Sequence, residues 1–260
     1  MRNKYLKLLE KFLIEPNFWC SEEYFQKSDL KEVDSWGTIG IFDEKNLVFP
    51  PVHIDKGILW TEYFPNEIWA DFVGFNSDSR NSSYKFLDYE YLYDPNDFSK
   101  MAGKKWMVFR KNSRKFPSRL GKELFYHSDN LEGYEDKILV LFIDWLSHMD
   151  EDTTIHDDKV MKEFLLYGEN RKILVDEKGE LYGLNVWDEN YLYVNFRYSL
   201  CGNYSFLNEY MRRLFYLDMI PKGKLVNDGG VLDNPKLKFF KDKLNPIRIR
   251  EVRSWERKGR

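Results

Sequence analysis

The chain has 260 residues, a formal net charge of −3 and 43% hydrophobic residues, which supports one large domain or two small ones and excludes a disordered chain. Its only cysteines, Cys20 and Cys201, lie far apart, which excludes a disulfide scaffold or a cysteine-based zinc site and makes a reducing cytoplasm the expected location. The four histidines are not at metal-ligand spacing, so no metal site is expected.

The amino-terminal part predicts short helices and strands. Charges at helical spacing in "MRNKYLKLLEKFLIEP" indicate an amphipathic helix ended by Pro16, and not a signal peptide. The run "WGTIGIFDEKNLVFPPVHI" predicts a hairpin, and "KFLDYEYLYD" predicts a strand. Asp94 and Pro95 then stand as the N-cap and first residue of a helix. The longest apolar run, 138–143, is too short to span a bilayer, so no membrane span is expected.

The strongest charge feature lies between residues 100 and 122, which hold nine Lys or Arg and no Asp or Glu. Such a run favours contact with the phosphates of a nucleic acid or of a nucleotide-bearing donor, with Trp106 and Phe109 stacking on bases. The alternative is a solvated helix face. The residues predicted to contact phosphates are Lys104, Lys105, Arg110, Lys111, Arg114 and Lys115.

The second half alternates strands and helices. Residues 171–198 predict three strands joined by tight turns, and "NYSFLNEYMRRLFYL" predicts a helix whose apolar stripe includes Phe206, Tyr210 and Leu214. A helix in "NPKLKFFKDKL" is capped by Asn234 and carries Lys241 among its solvated lysines. The alternation predicts an α+β fold with a mixed sheet, divided into domains at residues 1–130 and 131–260.

The order meander, helix, strand, helix, strand resembles the GCN5-related N-acetyltransferase fold. The last 130 residues resemble most the carboxy-terminal domain of phosphatidylglycerol lysyltransferase-like proteins. The resemblance rests on "GKKWMVFRKNSRKF", "NFRYSLCGNYSFLNEYM" and "VNDGGVLDNPKLKFFKDKLNP". It implies two tandem acyltransferase-like units that move an acyl or aminoacyl group to an amine or hydroxyl. The donor would be acyl-coenzyme A or aminoacyl-tRNA, with no permanently bound cofactor.

The donor loop departs from the pattern of coenzyme A binders. Those proteins carry several glycines whose amides receive a pyrophosphate, whereas "RYSLCGNYSF" has one glycine. Coenzyme A and aminoacyl-tRNA therefore both remain open as donors, and tRNA or another nucleic acid is an expected partner. The residues that the resemblance implies for donor binding are Arg197, Ser199, Gly202 and Asn203.

Asn227 and Asp228 are the predicted catalytic residues, because the resemblance puts them at a strand end beside the donor cleft. There Asp228 could accept a proton from an amine acceptor or orient it, and the alternative is a tight turn. Cys201 has no neighbouring His or Asp to activate it, which favours a small, partly buried thiol over a nucleophile. A non-catalytic nucleic-acid-binding protein on the same fold is the alternative function.

Overall fold

The structure, a computed structural model, describes residues 4–28 except 12 and 14, 31–35, 38–43, 46–47, 52–55, 58–60, 82–147, 158–231 and 234–257. The chain forms two compact units, Met1–Tyr89 with Arg250–Arg260, and Glu90–Ile249. The predicted boundary at residue 130 falls inside the second unit. That each half is a separate acyltransferase-like unit stays a prediction.

The first unit begins with helices α1 (Lys4–Lys11) and α2 (Glu22–Lys27). Tyr5 and Leu9 are buried on one face of α1, as the helical spacing predicts. Five short strands follow: β1 (Lys31–Ser35), β2 (Thr38–Asp43), β3 (Asn46–Leu47), β4 (Val52–Asp55) and β5 (Ile58–Trp60). Strand β2 pairs antiparallel with β1, β3 and β4, which confirms the predicted hairpin.

The second unit contains the elements on which function is predicted. In chain order they are β6 (Ser82–Tyr93, which begins in the first unit), α3 (Pro95–Lys100), α4 (Met107–Leu120), β7 (Leu124–His127), α5 (Glu135–Ser147), α6 (Asp158–Tyr167), β8 (Asn170–Asp176), β9 (Leu181–Glu189), β10 (Tyr193–Cys201), α7 (Leu207–Met219), β11 (Leu225–Asn227) and α8 (Pro235–Lys243). The last strand, β12 (Arg248–Arg257), returns to the first unit.

The second unit has a mixed sheet in the order β6–β11–β10–β9–β8–β7. Strands β10 and β11 are parallel, and the other neighbours in this order are antiparallel. The α+β class is confirmed. The predicted caps also form, because the side chains of Asp94 and Asn234 accept backbone N–H groups at the starts of α3 and α8.

Helices cover both faces of this sheet. On one face, α7 packs against β9 and β10, and the Phe215 ring of α7 lies 3.9 Å from the Phe196 ring of β10. On the opposite face, Phe164 of α6 contacts Arg197 and Tyr198. Successive side chains of a strand point to opposite faces, which explains why Phe196 and Arg197 meet different helices.

Helices α3 and α4 lie on the α7 face and supply an aromatic core. The ring of Phe98 stacks on that of Tyr216 at 3.7 Å, with Trp106 and Phe109 packed beside it. Trp106 and Phe109 are 2% and 5% exposed, so the prediction that they stack on bases is wrong. Their rings are packed in the hydrophobic core, which is the commoner role of aromatic side chains.

Candidate functional site

Strands β10 and β11 separate at a defined point, which we call the fork. Their pairing ends at Asn195 and Asn227, and β10 then continues to Cys201 while β11 stops. The register of β10 with β9 shifts between Phe196 and Tyr198, which is a β-bulge at the point of separation. Ligands of open sheets bind beyond the carboxyl ends of parallel strands where neighbours diverge, so the fork is the candidate site.

Asp228 follows the fork directly and is the centre of a buried ionic cluster, the Asp228 cluster (Asp228, Arg212, Tyr216 and Lys241). Its Oδ2 accepts hydrogen bonds from the Arg212 guanidinium and from the Tyr216 hydroxyl, the latter at 2.9 Å. Its Oδ1 lies 3.4 Å from Lys241 Nζ. A carboxylate with these partners is held in one orientation and shielded from water.

The charges around Asp228 decide its protonation state. Burial alone would raise the pKa of the Asp228 carboxyl, but the charges of Arg212 and Lys241, together with the hydrogen bonds from Arg212 and Tyr216, outweigh burial and lower that pKa. A carboxylate held ionised in this way is a weak proton acceptor. These contacts indicate that Asp228 holds the corner in place and does not remove a proton from an acceptor. A catalytic role for Asp228 stays a prediction.

Lys241 is buried at 3% exposure, so its predicted solvation is wrong. Its ammonium donates to the backbone carbonyls of Asp228, Gly229 and Gly230, which satisfies its three N–H groups inside the protein. Gly229 has a φ of 60°, a conformation that favours glycine. Lys241 thus connects α8 to the glycine corner, because its ammonium hydrogen-bonds the three carbonyls of the turn.

Asn227 lies at the fork but faces away from Asp228. Its Nδ2 donates to Glu90 Oε2 at 2.9 Å, and its Oδ1 accepts the N–H of Gly229 at 3.0 Å. It belongs to a line of polar side chains across four strands on the α6 face, the polar row. The members of the polar row are Glu90, Asn227, Asn195, Asp188 and Arg197, each 7% exposed or less.

The predicted donor residues do not form one site. Arg197 is buried in an ion pair with Asp188 at 2.7 Å on the α6 face. Ser199 donates to Asn185 Oδ1 at 2.8 Å, on the α7 face. Gly202 and Asn203 lie in the loop after β10, with Asn203 exposed. The β-bulge and the alternation of side chains separate these residues, although they are close in sequence.

The loop 202–206 lies against α4. The Tyr204 ring is 6.0 Å from Phe116 of α4, and the cations of Lys115 and Arg119 lie 4.4 and 4.7 Å from the centroid of the Phe206 ring. Phe206 is the residue before α7 and has a φ of 71°, which is strained for a bulky side chain. The predicted donor loop and the basic helix are therefore neighbours.

Helix α4 and the turn before it present an exposed cationic surface, the basic face. It consists of Lys104, Lys105, Lys111 and Arg114, which have no acidic partner among the described residues. Arg110 instead donates to the carbonyl of Met101, and Lys122 pairs with Asp176 at 2.6 Å. The run from residue 100 to 122 thus divides into cations that stabilise the fold and cations that face solvent.

Cys201 is a partly buried thiol. Burial raises its pKa to about 12, although the hydrogen bond between the Cys201 sulfur and the Ser199 hydroxyl opposes the shift. At neutral pH the sulfur is protonated, which does not favour a nucleophile. Within the described residues there is also no group of three His, Cys, Asp or Glu side chains that could hold a metal ion.

Comparison with known proteins relates this arrangement to solved structures. No protein-family model matches the sequence, and no curated protein matches it. L-PGS from Bacillus licheniformis is similar with a TM-score of 0.62 and 14% identity, over 89% of this chain and 85% of that chain.

Two further structures are similar. The C-terminal domain of a protein assigned as a lysylphosphatidylglycerol synthetase from Agrobacterium fabrum has a TM-score of 0.57 and 12% identity, over 96% of this chain and 90% of that chain. A conserved protein of unknown function from Bacteroides thetaiotaomicron has a TM-score of 0.55 and 15% identity, over 73% of this chain and 66% of that chain.

The chain shares the fold of these two structures. The resemblance to the lysyltransferase carboxy-terminal domain is thereby confirmed as a likeness of fold. None of the described helices has the length and apolarity that a membrane crossing requires.

Sequence reasoning missed three members of the polar row in the second unit: Glu90, Asp188 and Asn195. Each is a polar residue within a largely apolar strand, in "EYLY", "NVWDE" and "YVNF". That signal is visible in the sequence, but the sequence does not say that three separate strands bring these residues side by side.

Proposed function

We propose that the protein is an aminoacyltransferase that takes its acyl group from aminoacyl-tRNA and passes it to an amine or hydroxyl acceptor at the fork. The observation that carries the proposal is the exposed basic face next to the donor loop. Four cations without acidic partners among the described residues lie in α4 and the turn before it, and Lys115 and Arg119 lie beside Phe206. A polyanionic donor would neutralise them.

The extent of this surface favours tRNA over coenzyme A. Helix α4 has 14 residues and therefore a length of about 20 Å. Cations spread over such a distance match the repeated phosphates of a nucleic-acid backbone better than the compact phosphates of coenzyme A. The single glycine of the donor loop also favours tRNA over coenzyme A, because a pyrophosphate is usually held by several backbone amides.

The loop 202–206 supplies contacts for the acyl-bearing end of the donor. Tyr204 is 44% exposed and lies beside Gly202 and Phe116, so its ring is available to stack on a base. Gly202 and Asn203 remain proposed donor residues in this loop. Ser199 would support the loop from within β10 on the same face, whereas Arg197 lies on the opposite face and would act only by holding β10 to Asp188.

Transfer at the fork requires a balanced exchange of bonds and protons. The acceptor nitrogen or oxygen bonds to the carbonyl carbon, and the bond from that carbon to the ribose oxygen breaks. The acceptor loses one proton, and the leaving ribose hydroxyl gains one. Asp228 and Asn227 would hold the corner beside the reacting carbonyl, and Asp228 keeps its charge throughout because its pKa is lowered.

The test is binding of deacylated tRNA to the full chain in a salt series, followed by transfer from labelled aminoacyl-tRNA. Replacing Lys104, Lys105, Lys111 and Arg114 by Gln should weaken binding by about tenfold or more at low salt and flatten the dependence of log K on log salt. A charge-matched control replaces Lys178, Lys236, Lys238 and Lys243, which are also exposed, and should retain binding.

The outcomes separate the two candidate functions. Equal tRNA affinity in the wild type and the α4 variant would overturn the role of the basic face. Binding without loss of the acyl group to any amine or hydroxyl would favour the non-catalytic nucleic-acid-binding protein. A rise in melting temperature with acetyl-coenzyme A and none with tRNA would replace the proposed donor.

A further inference from the structure

Helices α5 and α6 leave a groove between them, the α5–α6 groove, which is open to solvent and has a volume of about 440 Å³. The two helices contact each other, and both contact β9. The residues that line the groove lie within 135–139 of α5 and within 159–167 of α6, at intervals of three and four residues on α6. Such a spacing follows one side of a helix, so the groove runs along α6 for about two turns.

Exposed apolar side chains continue the surface of the groove. Val140 and Ile143 of α5 are 67% and 64% exposed, and Tyr167, which lines the groove, is more than half exposed. Leu139 also lines the groove and lies one turn before Ile143, so the two share a side of α5. Single apolar residues are common on a protein surface, but a group of them beside a groove indicates an interaction site.

The charged side chains of the groove are not neutralised by the fold. Glu135, Asp136 and Glu163 line it, and none of the three has a cationic partner among the described residues. Lys159 and Lys162 of α6 line it as well, so the groove has one more acid than base. A ligand that binds here therefore meets carboxylates whose charge is still available.

The sequence around the groove is strongly acidic. Residues 123–167, which include both helices, hold 12 Asp or Glu and only three Lys or Arg. An anionic membrane, a nucleic acid or the same surface on a second copy of the chain would bring negative charge against negative charge. A basic partner would be attracted instead, so the charges favour a cationic protein segment.

We propose that the α5–α6 groove is the docking site for a basic amphipathic helix of another protein. The inference goes beyond the proposed transfer and does not depend on its donor or acceptor. The apolar side of the partner helix lies on Val140 and Ile143 and along the groove to Leu139 and Leu166, while its lysines and arginines face the carboxylates. The partner is a helix because the groove is elongated along α6, and an amphipathic helix binds such a groove with its apolar side.

The experiment measures binding of a synthetic peptide to the full chain by fluorescence anisotropy. The peptide has about 14 residues, or about four helical turns, with leucines on one side and lysines on the other. One control peptide has the same leucines and lysines in an order that leaves no apolar side. The other has glutamates in place of the lysines. The basic amphipathic peptide should bind at least about tenfold tighter than either control.

The control peptides separate shape from charge. Equal affinity for the reordered peptide would mean that charge alone attracts the peptide and would overturn a docking groove. Equal or tighter binding of the glutamate peptide would overturn the basic character of the partner. No binding of the basic amphipathic peptide would overturn the proposal as a whole.

Paired variants locate the binding. Val140→Ser with Ile143→Ser should weaken binding of the basic peptide by about tenfold or more, since both side chains are exposed and would lose their apolar contact. The matched control is Phe239→Ser with Ile247→Ser, which removes two other exposed apolar side chains, in and after α8. It should retain binding. Equal affinity in the wild type and the α5 variant would place the peptide elsewhere.

Replacing the carboxylates tests the charge argument. Glu135→Gln, Asp136→Asn and Glu163→Gln together should weaken binding of the basic peptide and reduce its dependence on salt. All three side chains lack a partner among the described residues, so the variant should keep the urea midpoint of the wild type. Unchanged affinity and salt dependence would overturn the role of these acids.

Two further measurements test other occupants of the same surface. Sedimentation equilibrium should show no dimer that Val140→Ser with Ile143→Ser dissociates, and such a dimer would assign the surface to a second copy of the chain. Vesicles of phosphatidylserine and phosphatidylcholine should not bind through this surface. Vesicle binding that is lost in the same variant would assign the surface to a membrane and overturn the proposal.

Discussion

The Asp228 cluster and the basic face use the same kinds of charged residue in opposite ways. In the cluster, Arg212 and Lys241 surround one carboxylate, and all are nearly excluded from water. On the basic face, Lys104 and Lys111 are exposed without acidic partners. The difference teaches that a charge becomes available to a ligand only where the fold has not already neutralised it.

The largest effect on stability is expected from a substitution in the Asp228 cluster. Asp228→Asn should lower the free energy of unfolding by about 3–5 kcal/mol, because it leaves Arg212 and Lys241 buried without their counter-charge. Urea denaturation at neutral pH measures the change. The control is Asp242→Asn, whose partner Lys238 is 53% exposed and lies 2.8 Å away. That variant should lose less than about 1 kcal/mol. Equal losses would mean that burial does not distinguish the two pairs.

The second-largest effect is expected from acid, which should lower the stability that the Asp228 cluster contributes. The pKa of Asp228 is lowered in the folded protein, so its contribution to stability is present above its unfolded pKa of about 4 and is lost as the pH falls through the folded value. Asp176 contributes with the same sign, because hydrogen bonds from Lys122 and the backbone lower its pKa.

Urea midpoints measured between neutral pH and pH 3 test this dependence. They should fall with pH more steeply in the wild type than in Asp228→Asn. The same slope in both proteins would assign the acid sensitivity to other carboxylates, with Asp176→Asn as the next variant to compare.

The smallest stability effect is expected on the basic face. Replacing Lys104, Lys105, Lys111 and Arg114 together by Gln should change the free energy of unfolding by no more than about 0.5 kcal/mol, since exposed side chains without partners contribute little to stability. Urea denaturation of this variant also serves as the folding control for the tRNA experiment. A loss as large as that of Asp228→Asn would show that these cations are bound within the fold.

Much of the local structure was predictable because it depends on neighbours in sequence. Asp94 and Asn234 precede prolines and cap helices as predicted, and the stretch 171–198 forms β8, β9 and most of β10. The helix after the donor loop was placed correctly, and its predicted stripe of Phe206, Tyr210 and Leu214 packs half-buried against the core. Leu207, Met211 and Phe215 are fully buried, one residue beyond the predicted positions, because Phe206 lies before α7 and its side chain meets α4.

The candidate site was only partly predictable, because its chemistry depends on partners distant in sequence. The corner 227–230 was recognised as unusual, yet Lys241 was expected in solvent and is buried by three carbonyls of that corner. Arg197 and Ser199 were grouped in one donor loop, and the β-bulge turns them to opposite faces of β10.

By itself the sequence determined the order of helices and strands, the caps, and the presence of a cationic stretch without acids. These follow from backbone preferences and from charges that are neighbours along the chain. Only the tertiary structure decided which cations face solvent, which carboxylate is locked in an ion cluster, and which polar side chains form a row across β6, β11, β10 and β9. The physical reason is that burial and pairing depend on distance in space, and the fork brings residues 90, 188, 195 and 227 together from four separate strands.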